Sequence, residues 1–330
     1  MRDRPPIACL ALAGLLLMPA VGTAADTASG APQPAAAGES KLVALVEASG
    51  IVVRGDGKVA VIGGDETTDR LWAVSLDNLS VRWELVFPLA TPIMDDVEAL
   101  APRGKDALFV ICSQSRTKPR EKAKYPRDRL ALVTLSPGAR QVVGVGVYEG
   151  LRTHLLTYLG GTAGDLFENP AAVSLNGPNR GGLNVEGLAV WNEQLLVGLR
   201  SPAARGGAVV IPMAEPDRLF EEGGQAQAPR FGRPMILPTK PGEGIRDMVA
   251  AKDGILVLLG AENDAVETPF RIVHWDPATN KLRDVEVPGF EAIRRPEGIA
   301  LDAEGRLLVV QDFKLPLPEK ILFRLDIKKP

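Results

Sequence analysis

Three glutamates occupy matching settings far apart in the chain: Val97-Glu98-Ala99-Leu100, Val185-Glu186-Gly187-Leu188 and Pro296-Glu297-Gly298-Ile299. The same phrase recurs with Ser49 in Ser49-Gly50-Ile51, and with Arg246 and Asp247 in Ile245-Arg246-Asp247-Met248. Each copy opens an apolar run that turns back into a second run, and charged groups such as Asp65, Arg200 and Asp312 follow those second runs. A fold that gathers these positions creates a ring of carboxylates and guanidinium groups. Like charges at close range cannot all stay ionised without a cation or an arginine between them, and enclosed charges are costly unless they meet a partner, water, a metal or a ligand. Asp65, Glu98, Glu186, Arg200, Arg246, Asp247, Glu297 and Asp312 are therefore the expected ligand-binding ring. If a divalent cation binds, Glu98, Glu186 and Glu297 are its expected ligands, and oxygen donors suit Ca2+, Mg2+ or Mn2+ better than zinc. The competing expectation is structural: the acids neutralise Arg200 and Arg246, or accept hydrogen bonds from backbone amides where repeats meet.

The elements that must position this ring are hairpins. Turns near Asp56, Gly104, Asn192, Asp253 and Glu304 lie between apolar runs of four to seven residues rich in Val, Ile and Leu, such as Lys58 to Ile62 and Arg306 to Val310. Successive turns are 48, 88, 61 and 51 residues apart; periods of about 40 to 50 mark radial or solenoid repeats, and period-two or continuous apolar runs with polar bends read as β-hairpins. One or two further strand-like runs follow each hairpin, among them Arg70 to Leu76, Val81 to Phe87, Arg129 to Leu135 and Phe270 to Trp275. Four strands per unit predicts an all-β propeller of five detectable blades, five or six in total. Lys41 to Val46 is expected to complete the last blade and close the ring, which removes exposed sheet edges. The long interval between the second and third turns predicts a helix and loop inserted at about 151–182, since Leu151, Leu155, Leu156 and Leu159 follow helical spacing.

Arg2 and Arg4 precede an apolar run from Ile7 to Val21, and Gly22-Thr23-Ala24 offers small residues for cleavage. Residues 1–24 therefore read as a signal peptide and 25–40 as a flexible Ala/Pro/Gly-rich leader, so a periplasmic or secreted location is expected for the 41–330 propeller. Of the two cysteines, Cys9 lies in the signal peptide and Cys112 ends an apolar strand, which predicts a buried thiol and excludes an intramolecular disulfide in the exported chain. With 38 Lys and Arg against 41 Asp and Glu, the mild net charge of −3 gives no footing for nucleic acid. No second apolar stretch reaches membrane length, so no stable membrane insertion is expected, and the chain is expected to be a monomer. His154 and His274 stand beside no nucleophile, no Gly-x-Ser-x-Gly elbow exists, and the paired glycines lack nucleotide-loop spacing, so no catalytic residue is assigned and neither nucleotide nor haem is expected. Lys118 to Lys124 reads as a solvated basic loop.

Arg295 to Asp302, followed by Gly305 to Val310, resembles the blade phrase shared by gluconolactonase-type (senescence-marker-protein) propellers and phytase-like esterase propellers. From about Glu47 to Ile327 the chain resembles a secreted bacterial family designated domain of unknown function 3616, through Asn184 to Ala189, Leu196 to Pro202 and Gly244 to Asp247. That second resemblance implies a propeller with no assigned chemistry. The lactonase resemblance implies a divalent metal held by a glutamate at one blade start plus Asn and Asp from others. Glu98, Glu186 or Glu297 would supply the glutamate; Ser49 and Arg246 stand at the other starts, with Asp247 and Asn263 the nearest substitutes. Two functions are thus expected: an exported propeller binding a small anionic or sugar-like ligand, or a protein partner, at its charged funnel, and alternatively a divalent-metal-dependent hydrolase of a lactone, ester or phosphoester.

Overall fold

The second strand of each hairpin is buried on both faces, which is why it reads as an unbroken apolar run rather than an alternating one. The computed structural model describes residues 47–65, 68–117, 121–162, 164–264, 267–312 and 321–328, all within one compact unit, Ala37–Pro330. The expected signal peptide, leader and closing strand Lys41 to Val46 lie outside the described residues.

Five antiparallel sheets follow one another along the chain. The first comprises β1 (Ala48–Val53), β2 (Val59–Gly64), β3 (Arg70–Ser75) and β4 (Ser80–Val86); the second, β5 (Val97–Arg103), β6 (Ala107–Cys112), β7 (Leu130–Leu135) and β8 (Val142–Tyr148). Helices α1 (Leu151–Thr162) and α2 (Pro170–Leu175) intervene before the third sheet. There β9 (Asn184–Trp191), β10 (Gln194–Ser201) and β11 (Ala208–Ala214) pair in order, with β12 (Arg230–Phe231) and β13 (Met235–Leu237) both on the outer edge of β11. The fourth sheet holds β14 (Glu243–Ala251), β15 (Gly254–Ala261), β16 (Arg271–Asp276) and β17 (Lys281–Asp284). The fifth has three described strands, β18 (Pro296–Leu301), β19 (Leu307–Gln311) and β20 (Leu322–Leu325).

The arrangement is a five-bladed propeller. Apolar clusters fill the junctions between blades one and two, two and three, three and four, and four and five. A further cluster joins Ala300, Leu308 and Val310 of blade five to Ile51, Ile62 and Trp72 of blade one, so the ring closes through its core. The innermost strands neighbour one another in the cycle β1, β5, β9, β14, β18 and back to β1. None of the helices among the described residues is long and apolar enough to cross a membrane.

One irregularity repeats in every blade. The inner strand carries an extra residue against its partner between Ala48 and Ile51, Val97 and Ala99, Val185 and Gly187, Ile245 and Asp247, and Pro296 and Gly298. Such bulges re-aim a side chain out of the pleat, and here the bulged residues are Ser49 with Gly50, Glu98, Glu186, Arg246 and Glu297. In blades three and five the position after the bulge must be small because neighbouring inner strands nearly touch. A Cβ on Gly298 would stand 2.5 Å from the Ser49 carbonyl oxygen, and one on Gly187 would stand 2.6 Å from Ile245.

Gly298→Ala should therefore push β18 from β1 and cost about 1–3 kcal/mol in urea unfolding. The exposed Gly160 of α1 has open space around it, and Gly160→Ala should be neutral or gain up to about 1 kcal/mol. Equal effects at the two positions would contradict this packing.

Candidate functional site

The five bulges open onto one cavity of about 880 Å³ at the mouth of the propeller. Strand β1 starts at this face, the hairpin turn lies at the other, and β2 returns, so residues that open the first strand and follow the second meet. Seven of the eight residues expected from sequence line the cavity: Asp65, Glu98, Glu186, Arg200, Arg246, Glu297 and Asp312.

Arg246, only 7% exposed, sits between two carboxylates. Its Nε lies 3.0 Å from Glu186 Oε2, and its Nη2 donates to Glu297 Oε2. Burial disfavours the guanidinium charge, but Glu186 and Glu297 together hold its pKa above the ordinary arginine value. Arg200 donates from Nη1 to Glu186 Oε1 at 3.0 Å and from Nη2 to Asp264 Oδ1 at 2.5 Å. Glu186 also accepts from Asn184 Nδ2 at 2.8 Å. The three-glutamate metal site expected from sequence is corrected accordingly: Glu186 and Glu297 are engaged by arginines, and only Glu98 stands apart from them.

A different acidic group forms beside Glu98. Carboxylate oxygens of Asp65, Asp96 and Glu98 all lie within 4.8 Å of one another. Arg127 Nη1 reaches Asp96 at 2.8 Å, and Ser115 Oγ donates to it at 3.4 Å. Asp65 Oδ1 is buried without a hydrogen-bond partner among the described residues. Burial first, then the neighbouring carboxylates, pushes the carboxyls of Asp65 and Glu98 well above the usual range. Asp96 is also raised, by burial, with Arg127 drawing it back.

Three further cations at the mouth have acidic partners. Arg127 and Lys124 contact Asp95 at 2.8 and 2.6 Å, and Arg295 contacts Asp312 at 2.8 Å. Of the basic loop read as merely solvated, Lys122 and Lys124 line the cavity, while residues 118–120 lie outside the described residues.

Asp247 is the second correction. It is fully buried and absent from the cavity lining, because it occupies the tight position after the bulge. Its carboxylate accepts from the Met248 amide at 2.7 Å and from the Ile299 amide of the next blade at 2.8 Å, tying blade four to blade five. Of the two substitutes weighed for a lactonase-like metal, only Asn263 therefore lines the mouth. His274 packs in blade four, with Nε2 3.1 Å from Asp253, and His154 lies against Tyr148; neither lines the cavity. Cys112 is buried, and burial raises its thiol pKa.

Sequence reasoning missed Asp96, Arg127, Asp264 and the half-buried Phe270 in the lining. The doublet Asp95-Asp96 just ahead of β5 is the one signal by which the first could have been found. Asp96 adopts φ +60°, a left-handed conformation that aspartate tolerates better than most residues.

Two outcomes follow. Asp247→Ala strands the Met248 and Ile299 amides and should cost about 3 kcal/mol in urea unfolding; a loss below about 1 kcal/mol would contradict the clip. A carboxyl whose pKa folding raises binds its proton more tightly in the folded chain, so stability falls as pH rises from the ordinary carboxylate range through the raised value. In chelator, Glu98→Gln should thus raise the urea midpoint at about pH 8 and change it little near pH 4.5. An equal shift at both would contradict the assignment.

Solved structures similar to this chain include glutaminyl cyclase from Myxococcus xanthus, 14% identical over 86% of this chain and 90% of that chain, with a TM-score of 0.45. The Cps50 (Swd1) β-propeller domain of Myceliophteria thermophila is 12% identical over 84% of this chain and 70% of that chain, with a TM-score of 0.35. Likeness at these levels says nothing of activity. No curated protein matches the chain. Residues 172–313 match the family described as protein of unknown function (DUF3616), the family that the sequence resembles.

Proposed function

We propose that this protein is an exported binding propeller whose mouth takes a small sugar-like or anionic molecule. The observation that carries the reading is the pairing of unused acceptors with fixed donors. Among the described residues, the Asp65 and Glu98 side chains make no hydrogen bond or ion pair with a protein group, while the guanidinium groups of Arg200 and Arg246 are held rigidly across the same cavity. A hydroxyl-bearing ligand can donate to the first and accept from the second. Phe270 adds a half-buried aromatic surface of the kind that lies beneath a sugar ring.

The cavity of about 880 Å³ falls within the volume range of small-molecule sites. Because Arg200, Arg246 and Arg295 already face carboxylates, a neutral or singly charged polyol suits the mouth better than a polyanion. Export is supported by the apolar run Ile7 to Val21 behind Arg2 and Arg4. A second reading, a divalent-metal-dependent hydrolase of a lactone, ester or phosphoester, is favoured by the Asp65, Asp96 and Glu98 group. A bound cation would polarise a substrate oxygen there and lower the pKa of a water.

Thermal unfolding against neutral sugars, sugar acids, sugar lactones and phosphate esters separates these readings. A binder gains stability as RT ln(1 + [L]/Kd), about 2.7 kcal/mol at a hundredfold excess over Kd. The expected result is stabilisation by a sugar or sugar acid that Glu98→Gln reduces, with the compound recovered unchanged. Recovery of hydrolysed product would move the assignment to the second reading, and no response across the panel would overturn both.

A further inference from the structure

We propose that Asp65, Asp96 and Glu98, with the side-chain oxygen of Asn184, form a site for a hard divalent cation, calcium above all, at the floor of the propeller mouth. It deepens the reading of the mouth as a binding site, and rests on that reading only for what the cation then touches.

The geometry is the first argument. Ligand oxygens at 2.3–2.6 Å from calcium lie roughly 3.4 Å apart when adjacent and up to about 5 Å apart when opposite. Oxygens of Asp65, Asp96 and Glu98 within 4.8 Å of one another match that shell. Three carboxylates so placed carry three negative charges when ionised, and among the described residues only Asp96 has an ion-pair partner, Arg127. A divalent cation supplies the missing charge without adding a side chain.

Asn184 provides an independent observation. The residue is 3% exposed and lines the same cavity, yet its Oδ1 has no hydrogen-bond partner among the described residues. Its amide nitrogen is committed to Glu186, which fixes which atom is the oxygen and holds the side chain in place. The start of β9 is anchored beside the acidic group, since the Val185 amide donates to the Ser113 carbonyl and the Ser113 amide donates to the Asp96 carbonyl. A buried amide oxygen left without a donor is expensive, and a hard cation is the partner it suits.

The donor set is all oxygen, with no histidine or cysteine in the lining, which disfavours zinc. Calcium accepts irregular shells of six to eight oxygens, whereas magnesium demands a tighter octahedron. Positions not filled by protein face the cavity, so vicinal hydroxyls or a carboxylate of the ligand complete the shell.

Isothermal titration of the chelator-treated full chain with calcium alone tests this, with manganese followed by its paramagnetic resonance signal as a second readout. Saturable binding of one ion is expected, weakened at least about tenfold by Asp65→Asn and by Glu98→Gln and retained by Asn184→Asp. Circular dichroism and unfolding midpoints show that each variant is folded. No binding of calcium, manganese or magnesium to folded protein at millimolar concentration, or binding unchanged in the Asp65→Asn/Glu98→Gln double variant, would overturn the site. Metal binding without any sugar response would leave the cation site standing and remove the ligand reading; a sugar response indifferent to chelator, with no metal bound, would do the reverse.

Discussion

A buried guanidinium decides what this propeller mouth can do. Arg246 sits where three other blades place glutamate, and it neutralises two of those glutamates, Glu186 and Glu297. Enclosed carboxylates without such a partner cost several kcal/mol each. With Arg246 and Arg200 spent on one side of the channel, the carboxyls without an ion pair among the described residues lie on the other, at Asp65 and Glu98, beside the Arg127-paired Asp96. The asymmetry of the site follows from that single substitution of cation for anion in an otherwise repeated position.

The repeated position itself is a product of backbone geometry. Five inner strands crowd the axis closely enough that the residue after each bulge must be small or wholly buried, as at Ile51, Ala99, Gly187 and Gly298. At Asp247 the same crowding turns a carboxylate away from the mouth and onto the amides of its neighbours. The bulge then projects the preceding side chain toward the channel. Junction packing and functional geometry are therefore one constraint: a blade that shifts to relieve a clash also moves its contribution to the site.

Much of this was legible in the sequence because it rests on periodicity. Continuous apolar second strands, polar bends and the recurring opening phrase led to blades, and blade topology alone placed Glu98, Glu186, Arg246 and Glu297 at one mouth. What stayed illegible depends on one-residue offsets and on pairing in space. Strand patterning does not reveal a bulge, so Arg246 and Asp247, adjacent in sequence, read as equals although one faces the channel and the other the blade junction. Asp96 was passed over because a left-handed residue ahead of a strand leaves no hydrophobic pattern. The engagement of Glu186 and Glu297 by arginine was weighed as an alternative, and only coordinates distinguish it from a cation cage.

The most direct test of the central claim compares Arg246→Met with Arg246→Met combined with Glu186→Gln and Glu297→Gln in urea unfolding. If Arg246 compensates two buried charges, the single change should cost about 3–5 kcal/mol, and neutralising both glutamates should restore a large part of that loss. A single-variant cost no greater than that of a surface substitution, or a triple variant less stable than the single one, would contradict the account.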